Sequence, residues 1–323
     1  MLNTLKVFGG KFATSLMLFF AFVLMAGCEA PLVLDKVNEQ RKQPIQRTDR
    51  FQAAANNGSA TVVVANQGVI VYSQDDGNSW QRHTFEGWPA LIDVAACPNG
   101  SFVALAYDRT VYLSSDNGSS WQAKKIPTEE TPQAITCAPN NDLWVVGSFT
   151  FMWVSRDQGD TWTESTRDED SIFTTVQFVD DNTGFVMGEF GIAMKTVDGG
   201  ENWENLPPLP NEFYSQAALF LSKDKGWVGG LGGAIFHTTD GGQTWTKQAT
   251  NLQVPIYALT EINGDVYAAG GEGNLLRLAD NEWLPLAHDK PLRLYIRALT
   301  AVGDNLLVGG VRGTLHLITP GGA

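Results

Sequence analysis

Five short stretches of the chain combine an aspartate, a glycine and a tryptophan at fixed spacing, and these residue types could bind a metal ion or shape a turn. They read SQDDGNSW (73–80), SSDNGSSW (114–121), SRDQGDTW (155–162), TVDGGENW (196–203) and TTDGGQTW (238–245). A calcium site needs six to eight oxygen ligands, typically with a bidentate carboxylate a few residues further on. None of the stretches supplies that spacing, so we expect no metal at these motifs.

The same residues suit a hairpin that satisfies its own polar groups. The aspartate can accept hydrogen bonds from N–H groups of its own turn, and the glycine can adopt a positive φ at no steric cost. The tryptophan can carry a large apolar ring into the space between neighbouring units. We therefore predict a structural role for the three residues in each motif. They are Asp75, Gly77, Trp80, Asp116, Gly118, Trp121, Asp157, Gly159, Trp162, Asp198, Gly200, Trp203, Asp240, Gly242 and Trp245.

The motifs recur every 41 or 42 residues, which is a typical length for one blade of a propeller. Three apolar runs precede each motif and a fourth follows it, which predicts a four-stranded antiparallel meander. Weaker repeats at 256–283 and 296–318 raise the number to seven. We therefore predict an all-β fold, a seven-bladed β-propeller with a hairpin at each motif. The last repeat lacks an outer strand, which 44–50 could supply. An open solenoid is the alternative, but it would need polar capping repeats.

The first residues are typical of an export signal. Two lysines precede the apolar segment LMLFFAFVLMA (16–26), which is too short to span a bilayer as a helix. The sequence LMAGC (24–28) resembles a bacterial lipobox, although Met25 stands where leucine is preferred. We expect a signal peptide at 1–27, a tether at 28–43 that begins with lipidated Cys28, and the propeller at 44–323. An ordinary secretory signal is the alternative. The residue after the cysteine is Glu29, which favours the periplasmic side of the outer membrane.

Two cysteines remain after that cleavage, Cys97 and Cys137, at nearly equivalent places in neighbouring repeats. An oxidising compartment permits a disulfide. The sequence does not show that the two Cα atoms come within the roughly 7 Å that a bond requires. We favour two buried thiols and leave the bond open.

Composition and motifs argue against several functions. The net charge of −13 disfavours nucleic acid as a partner. A sialidase would use a tyrosine nucleophile and three arginines, and its usual Arg-Ile-Pro motif has only KIP (125–127) as a counterpart. No Gly-x-Ser-x-Gly or His-Glu-x-x-His motif is present, and the four histidines are scattered. We expect no catalytic residue, no cofactor and no metal site.

Longer patterns around two motifs resemble a known family. FVDDNTGFVMGEFGIAMKTVDGGENW (178–203) and FLSKDKGWVGGLGGAIFHTTDGGQTW (220–245) are similar to repeats of the photosystem II stability/assembly factor family, and the motif itself resembles the Asp box, or BNR repeat. The resemblance implies an exported seven-bladed propeller that binds photosystem II subunits during assembly. The other repeats match less closely, which favours a relative from a non-photosynthetic bacterium. The basic surface of the family cannot be matched residue by residue onto this acidic chain.

The propeller prediction sorts the loops between two faces. One face carries the Asp boxes. The other, here called the connection face, carries the turns between second and third strands and the links between blades. Binding residues commonly lie in such loops. Asp168, Glu169 and Asp170 form an acidic cluster there, and Lys290 lies near three arginines. We expect a monomer that binds a protein of a membrane or envelope complex under assembly. The alternatives are a photosystem II assembly factor and a glycan-acting hydrolase of the sialidase type or a lectin. The candidate contacts are Trp88, Phe149, Phe190, Tyr214, Arg293, Arg297 and Arg312.

Overall fold

The structure is a computed structural model that describes residues 34–167, 169–292 and 294–321. It divides into two compact units, Met1–Gln43 and Pro44–Ala323. In the first unit, helix α1 (Asp35–Arg41) has no buried residue. Nowhere in the described ranges does a helix have the length and apolar character needed to cross a membrane. The predicted signal peptide and Cys28 lie outside the described residues.

The second unit contains seven antiparallel sheets, and in each one the strands pair in chain order. This arrangement confirms the prediction of a seven-bladed propeller. Blades 1 to 3 consist of β1 (Phe51–Asn56), β2 (Thr61–Ala65), β3 (Val69–Ser73), β4 (Gln81–Thr84); β5 (Leu91–Ala96), β6 (Phe102–Ala106), β7 (Thr110–Ser114), β8 (Gln122–Lys125); and β9 (Pro132–Cys137), β10 (Leu143–Gly147), β11 (Met152–Ser155), β12 (Thr163–Glu164).

The remaining blades follow the same plan. Blades 4 to 7 consist of β13 (Phe173–Phe178), β14 (Gly184–Gly188), β15 (Ala193–Thr196), β16 (Glu204–Asn205); β17 (Ser215–Phe220), β18 (Gly226–Gly230), β19 (Ile235–Thr238), β20 (Thr246–Gln248); β21 (Ile256–Ile262), β22 (Asp265–Gly270), β23 (Leu275–Ala279), β24 (Glu282–Pro285); and β25 (Ile296–Val302), β26 (Asn305–Gly310), β27 (Leu315–Ile318). Single 3₁₀ turns join the second and third strands of blades 3 to 6.

The hydrophobic core lies between the blades. The first strands line the axis, each against the first strand of the next blade, and β25 contacts β1 to close the ring. The second strand is buried along its whole length in most blades, as in TVVVA (61–65), because neighbouring blades cover both of its faces. The fourth strands lie at the outer edge and are mostly polar and exposed. The turns and links therefore lie at the two ends of the strands, and the side chains that reach the axis come from the first strands.

The closure of the ring differs from the sequence prediction. Blade 7 has three strands among the described residues, so the prediction that 44–50 supplies its outer strand is wrong. Arg50 instead forms a single bridge with Val311, and the N–H of Gly313 donates to the carbonyl of Asp49 at 2.9 Å. The reason is position: residue 50 directly precedes the innermost strand β1, whereas a fourth strand lies at the outer edge.

The two cysteines are bonded. Cys97 and Cys137 form a disulfide with their Cα atoms 5.1 Å apart. Our preference for two thiols is therefore wrong. Cys97 follows the end of β5 and Cys137 ends β9, and these first strands are neighbours at the axis. The disulfide joins blades 2 and 3 on the face that carries the Asp boxes.

Candidate binding face and central cavity

Each Asp box satisfies its polar groups within its own turn. In the fifth motif, Thr238 Oγ1 donates to Asp240 Oδ1 at 2.8 Å and accepts from the N–H of Gly242 at 2.8 Å. The N–H and Oγ1 of Thr244 donate to the two carboxylate oxygens at 2.9 and 2.6 Å. The other four motifs repeat these bonds.

These bonds stabilise the ionised carboxylates. The side-chain hydrogen bond from the residue four positions on, followed by the backbone N–H of the same residue, lowers the pKa of Asp75, Asp157, Asp198 and Asp240 from 3.8 to about 2. Burial opposes the shift at Asp116, but hydrogen bonds still lower its pKa. The carboxylates thus act as acceptors that hold the hairpin. Across the described residues, no group of three or more His, Cys, Asp or Glu side chains could hold a metal ion.

The glycine and tryptophan of each box meet the preceding blade. Gly200 has φ +90°, and a Cβ there would lie 2.3 Å from Trp144 of blade 3. Gly77 faces Leu317 in the same way, so the first box abuts blade 7. The tryptophans pack against the clusters between blades, as Trp203 does beside Trp144 and Phe178. The Asp boxes therefore hold neighbouring blades together.

The turns of the connection face share a left-handed backbone at their tips. The tip residues have φ between 53° and 68°. This conformation costs most residues roughly 1–2 kcal/mol, whereas glycine adopts it freely. Only blade 5 has glycine at the tip. From blade 1 to blade 7 the tip residues are Gln67, Arg109, Phe149, Phe190, Gly232, Glu272 and Arg312.

Large apolar side chains stand exposed on this face. Phe149 and Phe190 are 50% and 56% exposed at their tips, and Trp88, in the link between blades 1 and 2, is 74% exposed. Tyr107 and Leu231, beside the tips of blades 2 and 5, are exposed as well. We call these five residues the apolar arc, which follows blades 1 to 5. Single apolar residues are ordinary on a surface, whereas several large exposed ones on the same face are typical of an interaction site.

The acidic and basic clusters predicted for this face are only partly realised. Glu169 pairs with Arg167 at 3.5 Å and Lys290 pairs with Asp289 at 3.4 Å. Asp168 and Arg293 lie outside the described residues. Arg312 is exposed at the tip of blade 7, and ring closure brings the exposed Arg47 and Arg50 against the same turn. These two arginines were missed, because the sequence does not show which blade the segment before β1 contacts.

A cavity of about 330 Å³ lies on the axis, lined by the first strands of all seven blades. Each of these strands carries a β-bulge one residue after its start. Bulges redirect side chains and are common near binding sites. The seven bulged residues, here called the bulge ring, all line the cavity. They are Gln52, Ile92, Gln133, Thr174, Gln216, Tyr257 and Arg297.

Two predicted contacts lie in this cavity. Arg297 is a member of the bulge ring, and Tyr214 also lines the cavity, where burial and then nearby Glu189 raise the pKa of its hydroxyl. The guanidinium carbon of Arg297 lies 4.9 Å from the centre of the Tyr257 ring, and Nη1 donates to Gln52 Oε1 at 3.4 Å. Arg297 therefore stands apart from Arg312, with which the sequence grouped it. The bulge ring could have been found from its own period of 40 to 42 residues.

Among the described residues, Asp93 is the single acidic residue that lines the cavity. Its Oδ1 accepts the N–H of Val94 and its Oδ2 accepts the N–H of Ile135 in the next blade, both at 2.8 Å. Burial raises its pKa from 3.8 to about 6, although these two bonds and the charge of Arg297 act in the opposite direction. The cavity thus holds one cation and one carboxylate among neutral polar groups.

The middle of the chain matches a known family. The family model described as photosynthesis system II assembly factor YCF48 matches residues 132–195 and 167–258. Residues 132–258 are therefore similar to the repeats of this assembly-factor family. A search of the curated proteins found no match.

Solved structures of YCF48 and of a lyase family share the fold of this chain. A structure of YCF48 bound to a D1 peptide is 15% identical with a TM-score of 0.70, covering 86% of this chain and 93% of that chain. YCF48 from Cyanidioschyzon merolae is 14% identical with a TM-score of 0.67, covering 87% of this chain and 98% of that chain. A catalytically inactive virginiamycin B lyase from Staphylococcus aureus with quinupristin is 12% identical with a TM-score of 0.71, covering 84% and 96%. Likeness at these identities shows the fold alone, and the fold includes both assembly factors and enzymes.

Proposed function

We propose that this protein is a non-catalytic binding protein whose connection face holds a protein partner, as an assembly or scaffold factor for a membrane or envelope complex. The observation that carries the proposal is the pair Phe149 and Phe190. Both are bulky, about half exposed and held in a backbone conformation that disfavours them. Folding gains little from such residues, and aromatic side chains are common contacts in protein interfaces.

The charges of the face are consistent with a protein partner. The apolar arc follows blades 1 to 5, whereas the exposed Arg47, Arg50 and Arg312 lie where the ring closes. None of these three arginines has a carboxylate within ion-pair distance among the described residues. A partner would therefore place an apolar segment on the arc and acidic groups on the arginines. The match to an assembly-factor family supports the same role, and the D1 peptide bound to a YCF48 is an example of a protein ligand on this fold.

The proposed location rests on the sequence. The segment LMAGC (24–28) supports lipidation of Cys28. The acyl chains would anchor the protein to the outer membrane on its periplasmic side. We propose that the protein is a monomer and that it contacts the membrane through this anchor alone. A globomycin-sensitive shift of the precursor, and its loss in Cys28→Ala, would test the anchor. An unchanged mobility in both experiments would contradict it.

The partner is tested by crosslinking the tagged protein in its native envelope, followed by mass spectrometry. We expect one defined complex, lost in Phe149→Ser/Phe190→Ser and weakened in Arg47→Glu/Arg50→Glu/Arg312→Glu. The matched control is Gln74→Ser/Gln243→Ser, which changes exposed residues on the Asp-box face. Loss of the complex in the control but not in the face variants would contradict the proposed face. Capture of photosystem II subunits would specify the alternative partner, and retention on glycan resin without a protein partner would overturn the proposal.

A further inference from the structure

The bulge ring has a property that the fold does not require. Six of its seven side chains are polar, although they line the axis of the ring. The amides of Gln133 and Gln216 and the hydroxyl of Tyr257 form no hydrogen bond with any described residue. At the next position along the strands, most blades have alanine, as at Ala134 and Ala217, which leaves space at the centre. The cavity therefore presents unpartnered polar groups around an open volume.

Arg297 is the single cationic side chain among the described residues that line this space. Arg297 is exposed on the cavity side, and no carboxylate lies within 4.0 Å of it in the part of the chain that the structure describes. The ring of Tyr257 and the amide of Gln52 hold the guanidinium in place, at 4.9 and 3.4 Å. A guanidinium carries five N–H donors in a plane, and it binds carboxylates through two parallel hydrogen bonds. Arg297 keeps most of these donors available for an anion.

The single carboxylate of the cavity is the complementary group. Each oxygen of Asp93 accepts one backbone N–H, and each oxygen keeps a further lone pair. Burial makes its charge costly, as its raised pKa indicates. A protonated amine beside Asp93 would offset that cost. The cavity thus offers one site for a carboxylate and another for an ammonium group.

We propose that the central cavity binds a small zwitterion, with the carboxylate of the ligand on Arg297 and its ammonium group on Asp93. A free α-amino acid and a dipeptide share this chemistry. The amides of Gln52, Gln133 and Gln216 would contact the polar atoms between the two charged ends. The volume of about 330 Å³ lies within the range of small-molecule sites. This inference does not rest on a protein partner at the apolar arc.

The test is calorimetric titration of the purified protein with the twenty L-amino acids and a series of glycyl dipeptides. We expect at least one compound to bind with a stoichiometry of one. Acetylation of its amine or amidation of its carboxylate should each weaken binding at least tenfold. Arg297→Gln and Asp93→Asn should have the same effect. Arg312→Gln is the matched control, because it removes an arginine of the same blade outside the cavity, and it should leave binding unchanged.

Three outcomes would overturn the inference. If none of the compounds binds at ten millimolar, the cavity holds only water. Equal binding of the acetylated ligand would show an anion site without a role for Asp93. Equal loss in Arg312→Gln would place the ligand elsewhere. If Asp93→Asn does not fold, Arg297→Gln and the blocked ligands still decide the question. Failure here would leave partner capture by the apolar arc unaffected, so the two proposals are distinguishable.

Discussion

At the scale of single residues, the Asp-box carboxylates link stability to acid pH. Their pKa is lowered from 3.8 to about 2, so they bind protons more weakly in the folded than in the unfolded chain. The stability they contribute is complete above pH 3.8 and is lost as the pH falls towards 2. We expect Asp240→Asn to lower the melting temperature at pH 7 and to flatten its fall between pH 4 and 2. Asp181→Asn, in a turn of the same face, should leave the melting temperature at pH 7 unchanged. Parallel melting curves for wild type and Asp240→Asn across that range would contradict the assignment.

At the exposed phenylalanines, a substitution should weaken partner binding without lowering stability. Phe190→Gly removes a left-handed strain of roughly 1–2 kcal/mol but adds freedom to the unfolded chain. We expect the free energy of unfolding to stay unchanged or to rise by up to about 1 kcal/mol, while partner capture weakens. By contrast, Phe185 is buried and stacked on Phe220, so Phe185→Ala should cost about 3–5 kcal/mol. Denaturant unfolding measures both. A cost above about 1 kcal/mol for Phe190→Gly would mean that Phe190 supports the fold.

At the scale of elements, the Asp-box hairpins predict a matched pair of glycine substitutions. Gly58 and Gly200 have φ of +85° and +90°, so alanine at either site meets a strain of about 1–2 kcal/mol. A Cβ at Gly58 would meet nothing within 4 Å, whereas one at Gly200 would lie 2.3 Å from Trp144. We expect Gly200→Ala to cost about 1–3 kcal/mol more than Gly58→Ala. Equal costs in urea unfolding would show that the box does not wedge between blades.

The strands and turns differ in how well the sequence alone predicts them. The equal spacing of Trp80 to Trp245 predicts the blades, because one repeat forms one sheet and every sheet must bury its faces against the next. The bulge at Arg297 is not evident from one repeat, since a bulge is one extra residue in a strand pair and depends on backbone register. Only the period of the bulge ring across all seven repeats indicates it. The place of Arg50 depends on how the ring closes. The cavity residues are therefore not predictable from one repeat alone, whereas the exposed tips at Phe149 and Phe190 are.

At the scale of the whole molecule, each blade depends on its neighbours. Every hydrophobic cluster draws residues from two adjacent blades, and contact of β25 with β1 completes the circle. Blade 7 has no fourth strand among the described residues, so the seam relies on first strands, on the Asp box of blade 1 against Leu317, and on the segment before β1. The buried Asp49 of that segment forms an ion pair with Arg82 of β4 at 2.9 Å. The connection face and the cavity therefore keep their geometry only while the ring is closed.

The disulfide is a covalent addition to this ring, and its effect on stability should extend to all seven blades. It closes a segment of 40 residues, for which the chain-entropy model gives about 4 kcal/mol. We expect Cys97→Ser/Cys137→Ser to lower the free energy of unfolding by about 2–4 kcal/mol in denaturant. A reducing agent should destabilise the wild type to the same level and leave the double variant unchanged. Because blades 2 and 3 share a core with the rest of the ring, the loss should appear in one cooperative transition. A reducing agent without effect on the wild type would contradict the bond, and a separate early transition would show that blades 2 and 3 unfold on their own.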